Sequence, residues 1–172
     1  MMTKEQLDSR HPIDLSTEVL SRYPNGGTLT VYNSIDRSTG DFHRILRCAE
    51  FFARQGKTVV MTPKLDVPYK NPAYDMIYGS LRGTPYYGKC PDLLVDGLWY
   101  EHEGYSNVNP KTNFSNMMKR GLRQSNRVIM EDCGLTDGYM KRNVLVRISE
   151  NQRIREVLVR KGDEIRVIFK AE

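Results

Sequence analysis

The sequence predicts a mixed α/β sheet in a single domain. Three observations carry that prediction. Short apolar runs of strand type alternate with segments of helical period. The dipeptide Asp96-Gly97 separates two such runs at the spacing of a tight hairpin. The chain has 172 residues, the size of one ordinary domain, which buries enough surface to fold without disulfide or metal staples.

Residues 7–22 read as a weak helix with Ile13, Leu15, Val19 and Leu20 as its apolar positions, and Tyr23-Pro24-Asn25-Gly26-Gly27 is a turn. Residues 28–32 alternate as a short strand, expected at a sheet edge. Residues 41–55 form the clearest helix: Phe42, Ile45, Leu46, Ala49, Phe52 and Ala53 recur at three and four, Gly40 or Asp41 starts it and Gly56 stops it. Residues 57–63 follow as a short buried strand. Residues 64–88, rich in Pro, Tyr and Gly, read as a long loop of the kind that often carries function. Residues 90–95 and 98–103 are the two arms of the hairpin. Residues 111–124 are helical, with Phe114, Met117, Met118 and Leu122 inward and Lys119, Arg120 and Arg123 outward. A strand at 127–131, a helix at 136–148 and a hairpin at 156–160 and 164–169 close the chain. The expected organisation is an extension, residues 1–40, packed on one principal unit, residues 41–172.

Composition narrows the function classes. No apolar run approaches the ~20 residues of a membrane span, and the first residues lack a signal-peptide core. Cys48, Cys90 and Cys133 are too few and too scattered for a disulfide framework or a zinc site, so reduced thiols in a cytoplasmic setting are expected. Lys and Arg number 26 against 21 Asp and Glu. Up to Glu103 there are 12 basic and 13 acidic residues, and from Gly104 onward 14 and 8. A basic C-terminal part points to a polyanionic partner.

The candidate chemistry sits in the hairpin. Strand alternation puts Glu101 and Glu103 on one face, ~6.6 Å apart, and turns His102 to the other. The antiparallel pairing across Asp96-Gly97 brings Asp92 beside them, so three acids are expected to converge. Like charges at that separation repel by about 2.5 kcal/mol at an effective dielectric of ~20. A hard divalent cation or a raised carboxyl pKa relieves the repulsion; the alternative is solvent-facing strand acids balanced by nearby Lys and Arg. Tyr69, Tyr74, Tyr78, Tyr86 and Tyr87, with Lys70 and Arg82, offer aromatic surface for stacking on unpaired bases or for packing the long segment down.

The order helix, three strands, helix, strand, with Pro91-Asp92 opening the second strand and Glu101 on the third, resembles the PD-(D/E)xK nuclease superfamily. Lys89-Cys90-Pro91-Asp92-Leu93-Leu94-Val95-Asp96-Gly97-Leu98-Trp99-Tyr100-Glu101 and the later run Lys119–Met130 resemble, more narrowly, the C-terminal tRNA-nuclease domains of contact-dependent growth inhibition toxins. The resemblance implies a restriction-endonuclease-like αβββαβ core with a C-terminal helix and hairpin. It implies a metal-dependent nuclease acting on RNA, with Mg²⁺ or Mn²⁺ (Zn²⁺ as a further candidate) held by Asp92, Glu101 and the His102 backbone carbonyl, and Glu50 as an assisting acid. Nucleic acid is the implied substrate and a cognate immunity protein a further partner. This chain departs from the pattern at Glu103, which stands where the Glu-x-Lys motif has its lysine. Lys119 and Arg123 of the following helix are the candidate replacements, and Glu103 is an added catalytic acid or, alternatively, a third metal ligand. Arg120, Arg123 and Gln124 are the expected nucleic-acid contacts. The alternative is a domain that kept the fold and binds nucleic acid or a protein without cutting.

Overall fold

The computed structural model describes residues 14–104 and 109–172. Among the described residues, eight strands form one sheet in chain order: β1 (Thr17–Arg22), β2 (Thr28–Tyr32), β3 (Thr58–Met61), β4 (Leu93–Val95), β5 (Leu98–Glu103), β6 (Arg127–Glu131), β7 (Glu156–Lys161) and β8 (Glu164–Lys170). The helices are α1 (Gly40–Arg54), α2 (Tyr74–Tyr78), α3 (Pro110–Gln124) and α4 (Asp137–Glu150). The sheet is mixed. β2/β3, β5/β6 and β6/β7 are parallel, and α1, α3 and α4 provide the crossovers that parallel pairing requires. The other four pairings are antiparallel. The mixed α/β class expected from the sequence is the class found.

Local chemistry explains the element ends. Thr39 caps α1 by accepting the Phe42 N–H, and Gly56 follows at φ +87°, a conformation open to glycine. Asn109 caps α3, where Pro110 fills the first position without a lost bond. Asp96 at φ 47° and Gly97 at φ 82° make the two-residue turn with two left-handed residues that matches strand twist.

Alternation then builds two cores. Tyr100, Ile129 and Leu158 face α1 together with Leu29, Val31, Val59 and Met61, and the Phe52 and Tyr100 rings meet at 5.2 Å. Val128, Met130, Val157 and Val159 face the other way, against Phe114, Met117 and Met118 of α3 and Met140 and Val144 of α4. Trp99 and Leu94 share that second side with an aromatic cluster from the β3–β4 connection.

Three expectations are corrected. Residues 17–22 are a strand, not the end of a helix; residues 7–13 of that segment lie outside the described residues. β1 pairs with β2, so β2 is interior and β1 forms the edge. The first forty residues therefore contribute two strands to the sheet. The segment 64–88 is not an unstructured loop: it holds α2 and two 3₁₀ turns, Pro68–Lys70 and Gly79–Leu81. No helix among the described residues is long and apolar enough to cross a membrane. The three cysteines are unbridged, and burial pushes the Cys48 thiol well above its ordinary pKa.

Candidate functional site

The hairpin register places the acids. Leu93 faces Tyr100 across β4 and β5, so the next position outward sets Asp92 beside Glu101 on the side of the sheet away from α1. Both are buried, at 6% and 5% exposure. The Asp92 Oδ2 accepts the His102 backbone N–H at 3.0 Å, which fixes the carboxylate against β5. Two buried carboxylates side by side need a cation, and the chain supplies one. The Lys64 ammonium lies 3.3 Å from Asp92 Oδ1 and 3.2 Å from Glu101 Oε1. It also donates to the Cys90 carbonyl at 2.5 Å.

Lys64 reaches this position because the end of β3 is clamped to the start of β4. The Thr62 N–H donates to the Asp92 carbonyl at 3.1 Å and its hydroxyl to the Pro91 carbonyl at 2.6 Å. From below, the buried Tyr78 hydroxyl donates to the Pro63 carbonyl. Tyr78 lies between Tyr74, on which it stacks, and Trp99, tilted at 35°, each at 5.1 Å, and the Trp99 indole N–H donates to the Ser80 hydroxyl at 2.8 Å. The aromatic connection thus braces both Lys64 and the strand that carries Glu101.

Electrostatics follow the geometry. Burial pushes the Glu101 carboxyl well above its ordinary pKa; the Asp92 charge adds to the rise and Lys64 opposes it. For Lys64, burial pulls the ammonium down, but the Asp92 and Glu101 charges together raise it. Glu103 is raised by burial and held back by the Arg120 guanidinium, 3.1 Å away. Arg120 also donates to the Gly104 carbonyl at 2.8 Å. The close approach of α3 to β5 and β6 needs Gly121, where an added Cβ would meet Val128 Cγ1 of β6 at 2.7 Å and Glu103 Cγ of β5 at 3.1 Å.

Only two of the three acids expected to converge share a counterion: Glu103 turns to Arg120. No group of three or more His, Cys, Asp or Glu side chains poised around a common metal position exists among the described residues. The His102 ring points to the opposite face, as alternation requires, and bonds to Glu131 at 3.0 Å. There Arg160 also meets Glu131, at 2.7 Å, and these two partners hold the Glu131 carboxyl below its ordinary value against the effect of burial.

A cavity of about 780 Å³ opens at this end of the sheet. Its walls carry Asp36, Asp41, Asp92, Glu101 and Glu103 against Lys64, Arg44 and Arg120. Five carboxyl groups thus face three cations in a protein whose formal charge is +5. Of the sequence-derived candidates, Asp92, Glu101, His102, Glu103 and Arg120 line the cavity. Lys119 and Arg123 are exposed on α3 outside it, Gln124 is half-buried at the end of that helix, and Glu50 lies half-buried on α1 away from the cavity. The cation among the carboxylates is Lys64, which sequence reasoning passed over. Its signal was a lone lysine following a buried strand, in Val60-Met61-Thr62-Pro63-Lys64.

No family model and no curated protein matches the chain. Among solved structures, a CdiA-CT/CdiI toxin and immunity complex from Burkholderia pseudomallei is similar over 91% of this chain and 98% of that one, at 18% sequence identity and a TM-score of 0.45.

Proposed function

We propose that the protein is a metal-dependent nuclease that hydrolyses phosphodiester bonds, with Asp92, Glu101 and Lys64 as its reacting centre. The observation that carries the reading is the lysine ammonium 3.2 to 3.3 Å from two buried carboxylates in a cavity wide enough for a nucleotide. The donor set fits a hard divalent ion: two carboxylates on neighbouring strands, more negative than their single counterion, in a cavity whose walls carry an excess of acids. Asp92 and Glu101 would hold Mg²⁺ or Mn²⁺, with the His102 carbonyl as a further oxygen. Such an ion supplies Lewis-acid polarisation of the phosphate and a lowered water pKa.

The protein's own groups do the rest. The His102 N–H keeps Asp92 oriented. Lys64 lines the cavity, and its ammonium stabilises negative charge gathering on the scissile phosphate. Arg120 and Arg44 sit on the cavity wall as phosphate contacts. RNA, tRNA in particular, is favoured over DNA by the sequence resemblance of 89–101 and 119–130, and the same resemblance favours a toxin domain with a cognate immunity protein.

One observation favours a second reading, a domain that binds nucleic acid without cutting it: the ammonium already occupies the space between the carboxylates. The test is incubation of the full chain with tRNA and with plasmid DNA, in Mg²⁺ or Mn²⁺ and in chelator, beside Asp92→Asn and Glu101→Gln. Cleavage of tRNA only with metal, lost in both variants, is expected. Wild type and variants behaving alike would refute the nuclease reading, and salt-sensitive binding without cleavage would establish the second.

A further inference from the structure

The far end of α3 carries a second group of cations that the cavity does not use. The α3–β6 turn lies against the α4–β7 turn: the Arg155 and Glu156 N–H groups donate to the Asn126 carbonyl at 2.8 and 3.3 Å. That contact gathers Arg123, Arg153 and Arg155 at one end of the sheet, and all three are exposed. None of them takes part in an ion pair among the described residues. Two of the nearby acids are already engaged, and exposed Glu172, next to Ala171, also adjoins the group. Glu156 is held by Arg127 at 2.9 Å and Tyr100 at 2.5 Å, and Glu150 by Arg147 at 3.2 Å. Exposed Lys170 adjoins the group, because the Ala171 N–H donates to the Arg155 carbonyl at 2.8 Å.

A cation in the last turn of a helix offsets the helix dipole, and that accounts for Arg123 alone. Arg153 and Arg155 belong to no helix. Arg153 lies near Tyr86, where its charge opposes the rise that burial causes in the phenol pKa. Tyr86 packs on the aromatic cluster that braces Lys64, so an aromatic ring adjoins the basic end. The group is also continuous with the cavity. Arg120 lines the cavity, and Arg123 is one turn further along α3, an axial step of about 4.5 Å.

We infer that Arg123, Arg153 and Arg155 form a phosphate track leading out of the cavity along α3, which holds the strand flanking the scissile bond. The inference rests on the nuclease reading and adds where the flanking phosphates are gripped. Its test is binding of tRNA and of a tetranucleotide to the full chain in chelator, by fluorescence anisotropy across a salt series, for wild type and for R123Q/R153Q/R155Q. The substitutions are at exposed positions, and a thermal melt matched to wild type verifies the fold. At about 0.7–0.9 per phosphate contact, losing three contacts lowers the salt slope for tRNA by about 2–3 and its affinity by roughly 100- to 500-fold at ~0.1 M salt. The tetranucleotide, held within the cavity, is expected to lose less than about threefold. A triple variant that binds tRNA with unchanged affinity and slope overturns the track alone, leaving the cavity reading intact. Equal losses for both ligands also overturn it, since the arginines would then act through the cavity. A wild type that binds no polynucleotide overturns both readings.

Discussion

In the metal-free protein, Glu101→Gln is expected to stabilise the fold above neutral pH. Burying the Glu101 carboxylate costs several kcal/mol even after relaxation. Asp92 and Glu101 both lie within 3.3 Å of one ammonium, so they are at most ~6.5 Å apart and repel by at least about 2.5 kcal/mol at an effective dielectric of ~20. Lys64 at 3.2 Å returns at most about 5 kcal/mol by the same measure, and less in fact because more than half of its side chain is solvated. Burial and repulsion together exceed the bridge by about 1–3 kcal/mol, the sign already seen in the raised Glu101 pKa. An acid whose folded pKa is raised gives its full stability below the unfolded value, near 4.5, and loses it as pH climbs through the folded value. Glutamine binds no proton and escapes that loss. Denaturant unfolding in chelator at pH 4.5 and pH 8 is the assay. Near-equality is expected at pH 4.5 and a gain of about 1–3 kcal/mol for the variant at pH 8, worth about 2–4 °C per kcal/mol in Tm. A variant less stable than wild type at pH 8 would show that the Lys64 bridge outweighs burial and would refute the reasoning.

Lys64→Met leaves the two carboxylates without their cation. Its stability is expected to fall by about 1–3 kcal/mol at pH 8 and by less at pH 5, where Glu101 takes up a proton, and adding Glu101→Gln is expected to recover part of the loss in a double-mutant cycle. Tyr78→Phe keeps the stacked rings but strands the Pro63 carbonyl, costing about 1–3 kcal/mol by denaturant unfolding. Gly121→Ala drives a methyl into Val128 and Glu103 and is expected to cost about 1–3 kcal/mol, measured as a lowered Tm. Arg120→Gln removes the group that holds Glu103 down, so the Glu103 carboxyl, followed by NMR, is expected to titrate at higher pH than in wild type.

What the sequence disclosed was what short-range chemistry determines. The apolar period of α1, the Asp96-Gly97 turn and the alternation of β5 are properties of a few adjacent residues, and each appears in the fold as expected. The position of β1 is different in kind. Its residues are mostly exposed, so no alternation marks it, and only pairing with β2 makes it a strand. That same pairing turns β2 from an edge into an interior strand. α2 has five residues, too few to display a helical period, and is held by Tyr74, Tyr78 and Trp99 packing across the chain. The site divides along the same line. Asp92 and Glu101 were legible because a hairpin of known register joins them. Lys64 was not, because it arrives from β3 through contacts with residues 26 and 37 positions away. The Glu-x-Lys pattern points to position 103 and to Lys119 on α3, but position 103 is an acid and Lys119 is exposed. Glu103 was placed on the right face, but the salt bridge to Arg120 that draws it off depends on how closely α3 approaches at Gly121.

In the proposed nuclease, Lys64 and the two carboxylates act together on a phosphodiester. Single-turnover cleavage of tRNA in Mg²⁺, with wild type and with Lys64→Met at a temperature where both are folded, tests it most directly. Metal-dependent cleavage by wild type is expected, with a loss of about 10²–10³-fold in the variant, the scale for removing one preorganised charge donor. Equal rates for the two proteins, or no cleavage by wild type, would contradict it.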